Sequence, residues 1–185
     1  MDYYLEIKVE PDLEISAQAL LNNLFAKLHR AISQHCVGEI GVSFPQYGEC
    51  LGKILRLHGS EQALSRLMEQ TWLKGLRDYT QVSPIQAIPN HIQVYHRNVY
   101  RVQKKSPHNL RKRVINKGKM NTEEALKKFP DESQEFLDLP FIQLQSLSTK
   151  QVIRLYIQLG ELSSTPTRGK FSSYGLSRTT TIPWF

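Results

Sequence analysis

The first nine residues constrain the fold more than any other segment of the chain. Tyr3, Leu5, Ile7 and Val9 alternate with Tyr4, Glu6 and Lys8, the period of two that marks a half-buried strand. A helical period follows. Ser16 stands where an N-cap belongs, and Leu20, Leu21, Leu24, Phe25, Leu28, Ala31 and Ile32 make one apolar stripe, so a helix with one buried face is expected next. Two strand-like runs come after it, residues 39–44, stopped by Pro45, and residues 52–58. Ser60 then opens a second helix with Leu64, Leu67, Met68, Trp72 and Leu76 on one face, and an extended stretch punctuated by Pro84 and Pro89 lies around residues 85–94.

The order β-α-β-β-α-β is that of a split βαβ, or ferredoxin-like, unit. The expected class is therefore α+β: a ferredoxin-like domain over residues 1–96 and a smaller α+β domain over residues 97–185. Many unrelated proteins share that order, so it does not specify a function. No aromatic pair stands where an RNP signature would place one on the sheet.

Charge is more telling. Between Asp78 and Glu123 there is no acidic residue, yet nine of the 24 Lys and Arg fall there: Arg97, Arg101, Lys104, Lys105, Arg111, Lys112, Arg113, Lys117 and Lys119. That segment alone accounts for the net charge of +7, and a field so one-sided suits a polyanion. Residues 97–105 read as an extended linker. Ser106 as N-cap, Pro107 at the first helical position and Gly118 as terminator predict a helix over about residues 106–117. Leu110 and Val114 are spaced to dock it, while Asn109, Arg113, Asn116 and Lys117 share another face. Asn121 begins a further short helix closed by Pro130. Residues 141–147 and 152–159 predict one hairpin, and residues 171–177 with 179–185 a second.

Six histidines invite a metal reading, but none is spaced with carboxylates or thiols as a zinc site requires. Walker-type and dinucleotide glycine patterns are also absent, and no metal or cofactor is expected. Cys36 and Cys50 make neither a disulfide framework nor a metal knuckle. With no basic n-region or apolar h-region at the start and no membrane-length apolar run, a cytoplasmic protein without a membrane is expected. His29 sits about a quarter turn from the centre of its helix's apolar stripe. A histidine at such a rim is ordinarily structural, although imidazole is also the natural proton-transfer group near neutral pH. Arg101 and Gln103, two apart in an extended segment, can point the same way and could read guanine and adenine edges; solubility alone would also explain them.

Taken together, the segments resemble the endoribonucleases that process CRISPR repeat RNA in subtype I-F systems. The likeness runs from Met1-Asp2-Tyr3-Tyr4-Leu5 through Leu24-Phe25-Ala26-Lys27-Leu28-His29, Ile40-Gly41-Val42-Ser43-Phe44-Pro45, Arg101-Val102-Gln103, Leu139-Pro140-Phe141, Ser146 with Ser148-Thr149 and Tyr174-Gly175-Leu176-Ser177, to Pro183-Trp184-Phe185. The resemblance implies a ferredoxin-like domain joined to one with an Arg-rich helix. It also implies metal-independent cleavage of precursor RNA at the 3′ base of the repeat hairpin. In that reaction a 2′-hydroxyl attacks, a 2′,3′-cyclic phosphate and a 5′-hydroxyl result, and the enzyme stays on the hairpin as a subunit of the surveillance complex.

By position, the resemblance makes His29 the proton-transfer residue, Ser146 the holder of the nucleophilic ribose and Tyr174 the group that orients the histidine. Arg101 and Gln103 would read base edges. Lys104, Arg111, Lys112, Arg113, Asn116 and Lys117 would line the RNA, with Ser148 and Thr149 near the scissile nucleotides. Asn116 replaces an arginine of the family's helix, Ile153 an aromatic that stacks on a base, and Arg178-Thr179-Thr180-Thr181 a glycine-rich loop. Two other readings stand beside this one: a subunit that holds hairpin RNA without cutting it, and a basic protein that binds DNA or the ribosome.

Overall fold

The computed structural model describes residues 1–103, 106–133, 136–145 and 152–185. They form two compact units, one of Met1–Arg101 with Leu139–Phe185, the other of Val102–Asp138. The architecture is α+β.

In the larger unit the elements follow the expected order: β1 (Tyr3–Val9), α1 (Ala17–His35), β2 (Gly41–Ser43), β3 (Ile54–Gly59), α2 (Glu61–Met68) and β4 (Thr80–Val82). The strands lie in the order β2-β3-β1-β4, with β5 (Gln86–Ala87) also on β1, and every recorded pairing is antiparallel. Leu5, Ile7 and Val9 are fully buried, as is nearly all of the α1 stripe. Ser16 and Ser60 cap α1 and α2 by accepting hydrogen bonds from the Ala19 and Ala63 amides. The stripe of α1 therefore covers one face of the sheet, where Leu55 and Leu57 meet it.

Several expectations are corrected. The second helix ends at Met68, because Gln70 turns extended (φ −75°, ψ 149°). Trp72 is carried by a short 3-10 turn, Thr71–Leu73, and Leu76 by the start of another, Arg77–Tyr79. Both still pack on the core, so the apolar spacing reported burial rather than a continuous helix. Most of residues 85–94 is not strand, whereas β4 had no alternating apolar pattern to announce it and is recruited by pairing with Ile7–Val9 of β1. Residues 97–102 are not linker: Arg97 closes β6 (Tyr95–Arg97), and β7 (Val99–Val102) follows, held by tertiary pairing.

β7 pairs with β9 (Val152–Leu159), which pairs in turn with β8 (Phe141–Gln145). The β8–β9 pairing is the first expected hairpin, antiparallel from Phe141↔Tyr156 to Gln145↔Val152. The second does not form. Residues 171–177 make a turn, and β10 (Ile182–Trp184) pairs with β6 instead. Gly175, at φ 70°, closes that turn through the Gly175 amide to the Ser172 carbonyl (2.9 Å) and the Ser172 amide to the Leu176 carbonyl (3.0 Å).

The smaller unit holds α3 (Pro107–Asn116) and α4 (Thr122–Lys128). Ser106 caps α3, Pro107 opens it, and Gly118 takes φ 63° just beyond its end. Asn121 and Glu124 form a reciprocal capping box on α4. Such caps matter here because isolated helices this short are marginal in water.

Candidate active site

His29 emerges half-buried from the flank of α1, next to a stripe that is itself sealed. The 171–177 turn covers it. Val42 of the edge strand β2 donates its amide to the Gly175 carbonyl at 2.8 Å, so the turn protects an open sheet edge and in doing so brings Tyr174 over α1. The Tyr174 and His29 rings stack with centroids 4.0 Å apart and planes 12° from parallel. Phe25, one helical turn before His29, lies beside it at 6.2 Å from the same tyrosine ring, 7° from parallel.

The tautomer of His29 follows from one contact. Its Nδ1 lies 3.0 Å from the Ser173 carbonyl oxygen. A carbonyl oxygen only accepts, so Nδ1 carries the proton and donates it. The neutral ring then has its lone pair on Nε2. A stacked ring with a fixed tautomer is held ready to take a proton at that one atom.

Arg101 joins this group: its guanidinium carbon lies 6.0 Å from the Tyr174 ring centroid. Its Nε is buried and has no hydrogen-bond partner among the described residues, an unusual condition for a cationic donor. Behind it, Arg178 donates to the Arg101 carbonyl at 3.3 Å and stacks on Tyr100 at 4.8 Å. Asn98 also donates to the Arg178 carbonyl.

His58, by contrast, is fully buried. Its Nε2 lies 2.8 Å from Ser43 Oγ, and its pKa is pushed down to about 3, first by burial and then by the charges of Arg56 and the N-terminal amine. It packs on the sheet face opposite Leu55 and Leu57, beside Arg56. That arginine pairs with Glu6 at 2.7 Å and lies 4.2 Å from the Phe185 ring.

Of the residues singled out from sequence, the structure brings His29, Tyr174 and Arg101 together. Ile153 lies on β9, exposed, opposite Leu144. Ser146, Ser148, Thr149 and Lys104 lie outside the described residues. In the smaller unit Gln103 is exposed, as are Lys112, Arg113, Asn116 and Lys117. Arg111 is engaged within that unit, donating to the Phe129 carbonyl at 2.5 Å and to Asp131 at 2.6 Å. Among the described residues no three His, Cys, Asp or Glu side chains group so as to hold a metal ion, and no helix is long and apolar enough to cross a membrane. Sequence reasoning missed Phe25, Ser173, Gly175 and Arg178 as parts of the site. Ser173 acts through its backbone, which leaves no residue-type signal. Gly175 offered one signal, a glycine inside a strand-like run, which marks a break or a close backbone approach.

The class is set by comparison with known proteins. A family model described as CRISPR-associated protein (Cas_Csy4) matches residues 4–185. The CRISPR-associated endonuclease Cas6/Csy4 of Escherichia coli (strain UTI89 / UPEC) is 48% identical over 186 residues, covering 100% of both chains. Its counterpart from Pseudomonas aeruginosa (strain UCBPP-PA14) is 42% identical over 189 residues, again covering 100% of both. A solved structure, the CRISPR endoribonuclease Cse3 bound to a 19 nt RNA, aligns over 100% of both chains with 14% identity and a TM-score of 0.39. The two full-length relatives at 48% and 42% identity define a CRISPR-associated endonuclease. The chain belongs to the Cas_Csy4 family.

Proposed function

We propose that this chain is the endoribonuclease of a type I-F CRISPR system. It cuts precursor RNA at the 3′ base of the repeat hairpin and keeps the hairpin as a cytoplasmic surveillance-complex subunit. The observation that carries the reading is the His29 Nδ1–H to Ser173 carbonyl contact, because it leaves Nε2 as the proton acceptor a 2′-hydroxyl needs. In this scheme His29 removes the 2′-proton, and the 2′-oxygen forms a bond to the adjacent phosphorus as the bond to the 5′-oxygen breaks. That oxygen takes a proton from the imidazolium, giving a 2′,3′-cyclic phosphate and a 5′-hydroxyl. Tyr174 orients the imidazole and its ring face favours the transient positive charge. Ser146 holds the ribose, with Ser148 and Thr149 beside it.

Residues 97–185 supply the RNA contacts in this reading. Arg101 and Gln103 read base edges at the open end of the stem, where an A-form groove is accessible. Lys104, Lys112, Arg113, Asn116 and Lys117 meet phosphates, and Arg111 chiefly holds α3 in place. Ile153 offers an apolar contact without a π face.

The test is cleavage of repeat RNA in EDTA, with and without a single 2′-deoxy nucleotide 5′ of the scissile phosphate. The expected result is cutting of the ribose substrate in EDTA to cyclic-phosphate ends, and binding without cutting of the deoxy substrate. Cutting of the deoxy substrate, or arrest by EDTA, would refute the mechanism.

A further inference from the structure

Charge counted along the chain locates one basic region, but folding assembles a second from residues far apart in sequence. Between α1 and the Thr71–Leu73 turn lies a recess of about 330 Å³ lined by Lys27, Arg30, Gln34, His35, Thr71 and Trp72, within the usual range for ligand sites. A neighbouring recess of about 340 Å³ shares Thr71 and adds Lys74 and Arg77, with Asp78 its one carboxylate. Among the described residues no carboxylate pairs with Lys27, Arg30, Lys74 or Arg77. The Trp72 Nε1 donor has no partner there either. Lys27 Nζ donates to the Lys74 carbonyl at 2.9 Å, a contact that leaves its charge uncompensated. Cations without a carboxylate partner around an indole, with neutral amide and hydroxyl groups between them, are the components of a single-strand nucleic-acid surface: cations for phosphates and a ring for any base. An acidic protein surface would use the cations and leave the ring without a role.

We propose that this recess binds single-stranded RNA flanking the hairpin, an inference that rests on the endoribonuclease reading. At ~100° per residue, Lys27, Arg30 and Gln34 project about 100–160° around α1 from His29. One helix thus presents the histidine on one flank and the cationic recess on the other, and a strand leaving the cut crosses between them. The ligand is a ribose-phosphate backbone with at least one unpaired base, contributed by the 5′ or the 3′ flank.

The experiment compares four RNAs: the bare hairpin, the hairpin with a 5′ single-stranded extension, the hairpin with a 3′ extension blocked by 2′-deoxy at the cut, and an unstructured oligomer. Affinity is measured across a salt series, and Trp72 fluorescence is followed in a Trp184→Phe background, since the chain has only two tryptophans. One extension should bind at least about tenfold more tightly than the bare hairpin, with a salt slope steeper by about 0.7 per added phosphate, and should quench Trp72. The double variant Arg30→Ala/Lys74→Ala should lose most of that gain while binding and cutting the bare hairpin normally. Trp72→Ala should lose roughly 5- to 150-fold on the extended RNA, and Trp72→Phe should restore most of it. The proposal is overturned if neither extension adds affinity, if the gain survives in the double variant, or if poly-glutamate quenches Trp72 and the extensions do not. A wild-type chain that cuts no hairpin would overturn the endoribonuclease reading instead, and the unstructured oligomer would then decide the recess by itself.

Discussion

His29 and His58 belong to the same compact unit, and their surroundings give the same side chain opposite capacities. His29 stands at the rim of α1, held by a stacked tyrosine and one carbonyl, with its proton fixed on Nδ1. His58 is sealed on the opposite face of the sheet, bound to Ser43, with a pKa pushed down to about 3. Burial removes the second from neutral-pH proton transfer, because charging it would require desolvating a cation beside Arg56. The difference teaches that a working histidine needs support without enclosure.

The largest effect is expected at the rim. His29→Ala should slow single-turnover cleavage by roughly 10²–10⁴-fold, the usual share of a general base, with hairpin affinity nearly unchanged. Wild-type speed in this variant would make His29 as silent as His58. Next comes the turn that fixes the tautomer. A Cβ on Gly175 would lie 2.3 Å from Val42 Cγ2 at φ 70°, so Gly175→Ala must displace either β2 or the Ser173 carbonyl. We expect a stability loss of about 1–3 kcal/mol from the strained backbone and crowding, and a slower cut at full RNA saturation. Unchanged urea midpoint and rate together would show that the turn does not position the histidine.

At His58 the readout is pH and stability. The folded-state pKa lies below the unfolded value, so from about pH 6.5 down towards 3 the unfolded chain binds a proton that the folded chain refuses. Stability is therefore complete above the unfolded pKa and falls with acid at up to about 1.4 kcal/mol per pH unit. His58→Gln should flatten the urea-midpoint profile over that window relative to wild type, and should leave cleavage at pH 7 within about threefold. Parallel profiles would mean that His58 titrates normally.

How much of this was legible in the sequence differs between the two sites. The β1 alternation and the α1 stripe determine which residues are buried, so the rim position of His29 and the order of the first five elements could be read directly. Both depend on local periods. The 171–177 turn could not be read in the same way. Phe171 and Tyr174 are residue types that strands favour, and only the contacts of this segment with β2 and with the Val99 carbonyl decide otherwise. Burial of His58 was hidden for a related reason: its register partner Gly41 on β2 is approached by Ile182 and Phe171, both more than a hundred positions from His58. The second cationic cluster, spread over α1 and residues 74–77, was invisible to any count of charge along the chain.

The smallest effect should come from the tyrosine hydroxyl, and it separates the two ways a histidine can be held. Tyr174 meets His29 through its ring face, at 4.0 Å and 12°, and this contact requires no oxygen. Tyr174→Phe should keep the stack and change the cleavage rate by less than about threefold. Tyr174→Leu removes the flat partner, worth about 0.5–1.5 kcal/mol in aromatic pairs, and should slow cutting by roughly 2- to 12-fold, because the imidazole can then tilt off the Ser173 carbonyl. NMR of the imidazole nitrogens in the Leu variant should show the Nδ1–H population falling along with the rate. Should Tyr174→Phe be the more damaging of the two, the hydroxyl touches the RNA or the reacting atoms, and His29 is held by the carbonyl alone.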